Sequence, residues 1–160
     1  MTIPDTLDLE ARAHSEHAQE LRLWLRLLAC SQLIEKRVRT QLRERFDTTL
    51  PRFDLMAQLE RHPEGLKMKE LSQRLMVTGG NVTGITDQLV AEGLVERMGV
   101  EGDRRAFLVR LTPEGRGTFE RMAVEHEQWI VQAFEGLSPR ELDQLHKLLG
   151  KVKQHQLDLE

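Results

Sequence analysis

The 160-residue chain predicts a mainly α-helical fold with one small β-hairpin. Three observations point there. Long stretches repeat apolar residues every three or four positions, which lines them along one face of a helix. Aromatic residues make up 4% of the sequence and charged residues 31%, a composition that favours solvated helices. Between Leu94 and Leu111, two short alternating runs flank a glycine-containing turn, as a hairpin requires.

Taken in order, residues 1–17 form a polar, acidic lead-in. From about Leu21 to Phe46, Trp24, Leu27, Leu28, Ile34, Val38 and Leu42 recur at helical spacing and predict a first helix too long for one small core to cover. Thr48-Thr49-Leu50-Pro51 supplies a cap and a first-turn proline for a second helix through Phe53, Met56 and Leu59, which stops near His62-Pro63-Glu64-Gly65. A short third helix carries Met68, Leu71 and Leu75. The stretch Thr78-Gly79-Gly80-Asn81-Val82-Thr83-Gly84-Ile85-Thr86-Asp87-Gln88-Leu89 then reads as a fourth, with Thr78 as its N-cap and Val82, Ile85 and Leu89 as its buried stripe.

Glycines inside a helix each cost about 1 kcal/mol against alanine, so their presence needs a reason. Gly80, Thr83, Gly84 and Asp87 fall opposite the apolar stripe, which leaves a low polar outer face. Such a face suits close approach to a DNA major groove, with Asn, Thr and Gln offering donors and acceptors to base edges and phosphates. A second reading stays open, in which the glycines sit in a turn before a helix that starts at Asn81.

Gly93 ends that helix. Leu94–Met98 and Phe107–Leu111 read as the paired strands, and Gly99-Val100-Glu101-Gly102-Asp103-Arg104-Arg105 reads as a hairpin tip with two adjacent guanidinium groups. A helix-turn-helix over about 67–92 followed by a hairpin wing over about 94–111 is a winged helix-turn-helix, spanning 48–111. Thr112-Pro113 caps a fifth helix with Phe119, Met122, Trp129, Ile130 and Phe134. Ser138-Pro139-Arg140-Glu141 is a capping box opening a sixth with Leu142, Leu145, Leu148, Leu149 and Val152. Residues 18–47 and 112–158 thus form a helical dimerisation domain, whose surplus apolar stripe calls for a second copy of the chain.

Charge and composition narrow the function. The net charge of −3 and pI near 6.1 argue mildly against a nucleic-acid partner, but the balance is uneven. Residues 66–117 carry one net positive charge, whereas the first 20 residues hold five acids and one arginine. The lack of an apolar run of membrane-spanning length and of a signal peptide predicts a cytoplasmic protein with no membrane partner. A single cysteine excludes an internal disulfide framework and a multi-cysteine zinc site. No GxSxG, HExxH, P-loop or CxxC is present, so the chain is not expected to be an enzyme and calls for no cofactor.

The run Leu71-Ser72-Gln73-Arg74-Leu75, with Gly80-Asn81-Val82-Thr83, Gly93-Leu94-Val95-Glu96-Arg97, Asp103-Arg104-Arg105-Ala106 and Leu111-Thr112-Pro113-Glu114-Gly115, resembles the MarR family of bacterial transcriptional regulators over about residues 20–155. The resemblance implies a homodimer, triangular in outline, that binds a pseudo-palindromic double-stranded DNA operator, usually represses, and has its affinity for DNA set by a small ligand. It places Asp103 at the acid position of a wing salt bridge and Arg105 in the minor groove, with Arg104 the variable residue between. With Lys69, Ser72, Thr78, Gly80, Asn81, Thr83, Gly84 and Thr86, Arg104 and Arg105 are the expected DNA contacts. Many relatives carry Arg or Lys where this chain has Gly84, which leaves base specificity here to neutral side chains.

The family's ligand pocket lies between its dimerisation helices and winged domain. On this chain its candidates are Trp24, Leu27, Leu28, Ser31, Arg52, Phe53, Met56, His126 and Trp129, a set suited to a small aromatic or phenolic carboxylate. TTLPRFDLMAQL and MVTGGNVTGITDQL also resemble the branch controlling phenolic-acid and hydroxycinnamate catabolism, some of whose members sense a CoA thioester. On that reading Lys36, Arg37, Arg39 and Arg43 would meet CoA phosphates; otherwise they are a solvated helix face. Other readings weighed are a redox sensor at Cys30, disfavoured because the chain has no tyrosine and Cys30 reads as a small buried hydrophobe, a metal sensor at His14, Glu16 and His17 or at Glu125, His126, Glu127 and His146, and a winged-helix protein-interaction adaptor.

Overall fold

The computed structural model describes residues 18–75 and 81–160. Thr78, Gly79 and Gly80, like the acidic lead-in with His14, Glu16 and His17, lie outside the described residues. Nine elements follow in the order α1 (Ala18–Phe46), α2 (Leu50–Glu60), β1 (Leu66–Lys67), α3 (Met68–Arg74), α4 (Val82–Ala91), β2 (Val95–Val100), β3 (Asp103–Leu111), α5 (Pro113–Ala133) and α6 (Pro139–Asp158). Mainly helical with a small antiparallel sheet, the architecture is a winged helix. No described helix is long and apolar enough to cross a membrane.

Helix boundaries follow local capping chemistry. Thr49 caps α2 by accepting the Arg52 amide, with Pro51 in the first turn. Ser138 accepts the Glu141 amide while the Glu141 carboxylate accepts the Ser138 amide, so α6 opens on a complete capping box. Helix α4 closes at Gly93, which has φ +75° and donates to the Val90 carbonyl, while Leu94 donates to Leu89. That pair of bonds is a Schellman close, and its left-handed residue favours glycine.

The sheet has strand order β1-β3-β2. Leu66 and Lys67, absent from the sequence expectation, form its short edge strand against Val109 and Leu108. Strand β2 pairs with β3 from Val95 opposite Leu111 to Gly99 opposite Phe107, then jumps to Val100 opposite Asp103. The jump leaves Arg104, Arg105 and Ala106 bulged from β3. The arginines therefore sit not in a loose hairpin tip, as expected, but in an irregular stretch of strand, and a bulge re-aims the side chains it carries.

Two compact units divide the chain, Met1–Val124 and Glu125–Glu160. The core of the first gathers Leu42 from α1, Leu55, Met56 and Leu59 from α2, Leu71 from α3, Leu89 from α4 and Val95 and Val109 from the sheet, all essentially inaccessible. Phe53 of α2 packs on Phe119 of α5 with ring centroids 5.4 Å apart. At the foot of the wing, Thr112 donates its amide to the Leu94 carbonyl and its hydroxyl to Gly93, and the same hydroxyl accepts the Gly115 amide. A Cβ on Gly115 would lie 1.8 Å from the Leu94 oxygen, so only glycine permits this junction.

Much apolar surface stays uncovered. Only Val38 and Leu42 of α1 are buried, while Leu21, Leu23, Trp24, Leu27 and Leu33 are exposed. No α6 residue is buried, although Leu142, Leu145, Leu148, Leu149 and Val152 recur on one stripe. Cys30, expected as a small buried hydrophobe, is exposed as well, on an α1 face over which nothing packs among the described residues.

Candidate nucleic-acid interface

The surface that the sequence leads one to expect against DNA is built from α3, α4 and the wing. Asn81 caps α4: its side-chain oxygen accepts the Gly84 amide at 3.0 Å. Asn81 thus stands as the N-cap where Thr78 was expected, and α4 begins at Val82 with Gly84 inside its first turn. A Cβ on Gly84 would stand 2.6 Å from the Asn81 amide nitrogen, so any side chain there would push the capping group aside. The absent side chain makes room for the cap and also keeps the first turn low.

Along α4, Asn81 and Thr83 are exposed and Gly84 is half-buried, so these can reach a ligand. Thr86 cannot. It is wholly inaccessible, and its hydroxyl donates to the Val82 carbonyl at 2.7 Å, so the expected DNA contact is instead a helix-internal bond. Lys69 and Ser72 on α3 are exposed, as are Arg104 and Arg105. Asp103 makes no salt bridge among the described residues. Its carboxylate accepts the Arg105 amide at 3.0 Å, which holds the backbone of the bulge rather than a guanidinium.

Two pairings missed in the sequence fix how these parts sit. Asp87 of α4 is ion-paired with Arg97 of β2, and the Arg97 guanidinium lies 5.5 Å from the centroid of the Phe107 ring on β3. One arginine thus ties the helix to both wing strands. On α2, Arg52 pairs with Glu92 and hydrogen-bonds Gln88 and Thr48, pinning the last turn of α4. A signal for this was available: an acid at a helix C-terminus opposes the macrodipole and calls for a cation.

Arg52 and Met56 line a cleft with Phe46, Glu92, Arg121 and Met122, but Trp24, Leu27, Leu28 and Ser31 are not among its walls. Phe53 is committed to the core, and Arg52 is already held by Glu92. In the second unit His126 meets Trp129 edge-on at 6.2 Å, and burial holds its pKa below the usual imidazole value. Of the basic run on α1, Arg39 is paired with Glu35 at 2.6 Å; Lys36, Arg37 and Arg43 are exposed. No group of three or more metal-ligating side chains occurs among the described residues.

A short three-stranded sheet whose hairpin follows a capped helix-turn-helix defines a winged-helix protein. Residues 46–106 match the model of the MarR family. The chain is 32% identical over 105 residues to the HTH-type transcriptional regulator PecS of Dickeya dadantii, covering 64% of this chain and 63% of PecS, less than two thirds of that relative. Its fold matches the MarR family transcriptional regulator of Silicibacter pomeroyi with a TM-score of 0.75 and 30% identity, over 89% of this chain and 99% of that one. It also matches an Escherichia coli MarR variant complexed with operator DNA, with a TM-score of 0.72 and 24% identity over 87% and 99% of the two chains, a likeness of fold. The chain belongs to the MarR family. The relatives compared are transcriptional regulators, not enzymes.

Proposed function

We propose that the protein is a DNA-binding transcriptional regulator that represses from a pseudo-palindromic operator as a homodimer and is released by a small aromatic acid or its CoA thioester. The observation that carries the reading is the joint exposure of Asn81 and Thr83 on α4 and of Arg104 and Arg105 on the wing, with Arg97 tying the two parts together. Neutral side chains at the helix and guanidinium groups at the wing divide the labour: the first suit base edges, the second suit phosphates and narrow minor grooves. The operator complex of the Escherichia coli relative supports DNA as the partner.

Homodimerisation is supported by the uncovered leucine stripe of α6 and the exposed apolar residues of α1. A two-fold protein matches a two-fold operator. The test is fluorescence anisotropy on the DNA flanking the protein's own gene, titrated with salt and then with phenolic acids and their CoA thioesters. Specific binding that weakens steeply with salt is expected. Arg105→Ala should weaken binding to all sequences and lower the salt slope by about 1, the loss of one phosphate contact. An unchanged slope removes the wing from the mechanism, and absence of specific binding favours the adaptor reading.

A further inference from the structure

Helix α1 is followed by Asp47, held in the left-handed region at φ +49°, and the Thr48 amide turns back to donate to the Leu42 carbonyl of α1. Thr48 is therefore tied to the end of that helix. Its hydroxyl accepts Arg52 Nε at 3.2 Å, while Arg52 Nη1 donates to Gln88 at 3.4 Å and Nη2 to Glu92. Three nitrogens of one planar group thus join the end of α1, the start of α2 and the last turn of α4. A planar fork fixes direction as well as distance, which the point charge of a lysine cannot do. With 17% of its side chain exposed, Arg52 is largely shielded from solvent.

Charge alone does not account for this arrangement. The cleft beside it is balanced, with Asp47 and Glu92 set against Arg52 and Arg121. Glu92 also lies about 16 Å along α4 from Asn81, beyond the Debye length of about 8 Å at physiological salt, so neutralising it changes little where DNA would lie. What the three bonds supply is position.

We propose that Arg52 is a positioning residue that fixes α4 to the end of α1 and so sets which spacing between half-sites the homodimer accepts. This rests on the homodimeric, operator-binding reading, in which α1 lies in the body of the dimer and each copy presents one α4. One inserted base pair moves two half-sites about 3.4 Å apart and turns one against the other by about 35°. Shared between two copies, each α4 must absorb about half of that. A helix pinned through Gln88 and Glu92 resists the shift, and one whose rear turn is free follows it.

The test is fluorescence anisotropy of the full-length protein on three duplexes: the site it protects beside its own gene, and that site with one base pair added or removed at its centre. The wild type should bind each respaced duplex about tenfold more weakly, the size of one mismatched base pair. Arg52→Lys keeps the charge and loses the fork, so the salt slope should hold while the spacing penalty shrinks to about threefold or less. Thr48→Val, which breaks the bond to the end of α1 and leaves the Arg52–Glu92 pair, should shrink the penalty too. A general loss of stability would weaken all three duplexes alike and leave their ratio unchanged. Unchanged ratios in both variants overturn the inference, and relaxation in Arg52→Lys alone overturns the link to α1. A wild type that binds all three duplexes equally also overturns it, while operator binding stands. Absence of any specific binding by the wild type overturns the reading beneath it, and the inference with it.

Discussion

Gly84 and Asn81 show how one missing methyl group can serve two ends. Gly84→Ala would drive the Asn81 amide off the helix terminus, at a cost of about 1 kcal/mol for the cap, and would regain about 1 kcal/mol in helix propensity. A near-zero change in melting temperature is expected. Gly84→Leu instead raises the surface offered to the groove, and anisotropy should report lost operator binding while size-exclusion chromatography reports an intact dimer. Full binding by this variant would dismiss the groove role of α4. A second residue carries a pH signature. Burial first, and the nearby Glu35 second, raise the pKa of Asp54 from 3.8 to about 6, against the opposing pull of Arg39. The folded state then holds a proton that the unfolded chain has released between about pH 4 and 6, so this group's contribution to stability falls as pH rises through that window. Asp54→Asn should melt above the wild type at pH 7, with the gap closing toward pH 4; a gap independent of pH would contradict the assignment.

Among elements, the link from α4 to the wing matters most. The Asp87–Arg97 pair is partly exposed, and such pairs contribute about 0–1 kcal/mol to stability, so Arg97→Met should barely change the melting temperature. Operator affinity should fall roughly tenfold, the size of a 1–2 kcal/mol ordering cost once helix and wing orient independently. Equal operator affinity would show that DNA itself aligns the two. Elements whose limits depend on neighbouring residues were legible in the sequence: Thr49, Gly93, Thr112 and Ser138 all terminate helices where capping chemistry says they should. Elements set by distant partners were not. The strand at Leu66–Lys67 exists only because Val109 and Leu108 lie beside it, and the Arg52–Glu92 pair joins positions 40 residues apart. Thr86 misled for a third reason: a hydroxyl that bonds its own helix packs like an apolar group.

At the scale of the whole molecule, the leucine stripe that α6 leaves in water is the surface the proposed homodimer would cover. Leu145→Glu with Leu149→Glu should give monomers by light scattering and abolish operator binding, since half-site spacing needs two copies. Retention of a dimer would move the interface elsewhere. The junction at Thr112 has a mechanical consequence. Gly93, Leu94 and Gly115 are all bonded to that residue or pressed against its neighbours, so the first turn of α5 and the base of the wing turn together. Arg105 lies seven residues out along β3 from this pivot, at most about 23 Å away, and a roll of α5 by about ten degrees would sweep it by up to about 4 Å. That is about the spacing of adjacent bases along one strand. Under the proposed function the wing would act as a lever with its fulcrum at a threonine, long enough to turn a slight roll of one helix into a shift of about one step along the DNA.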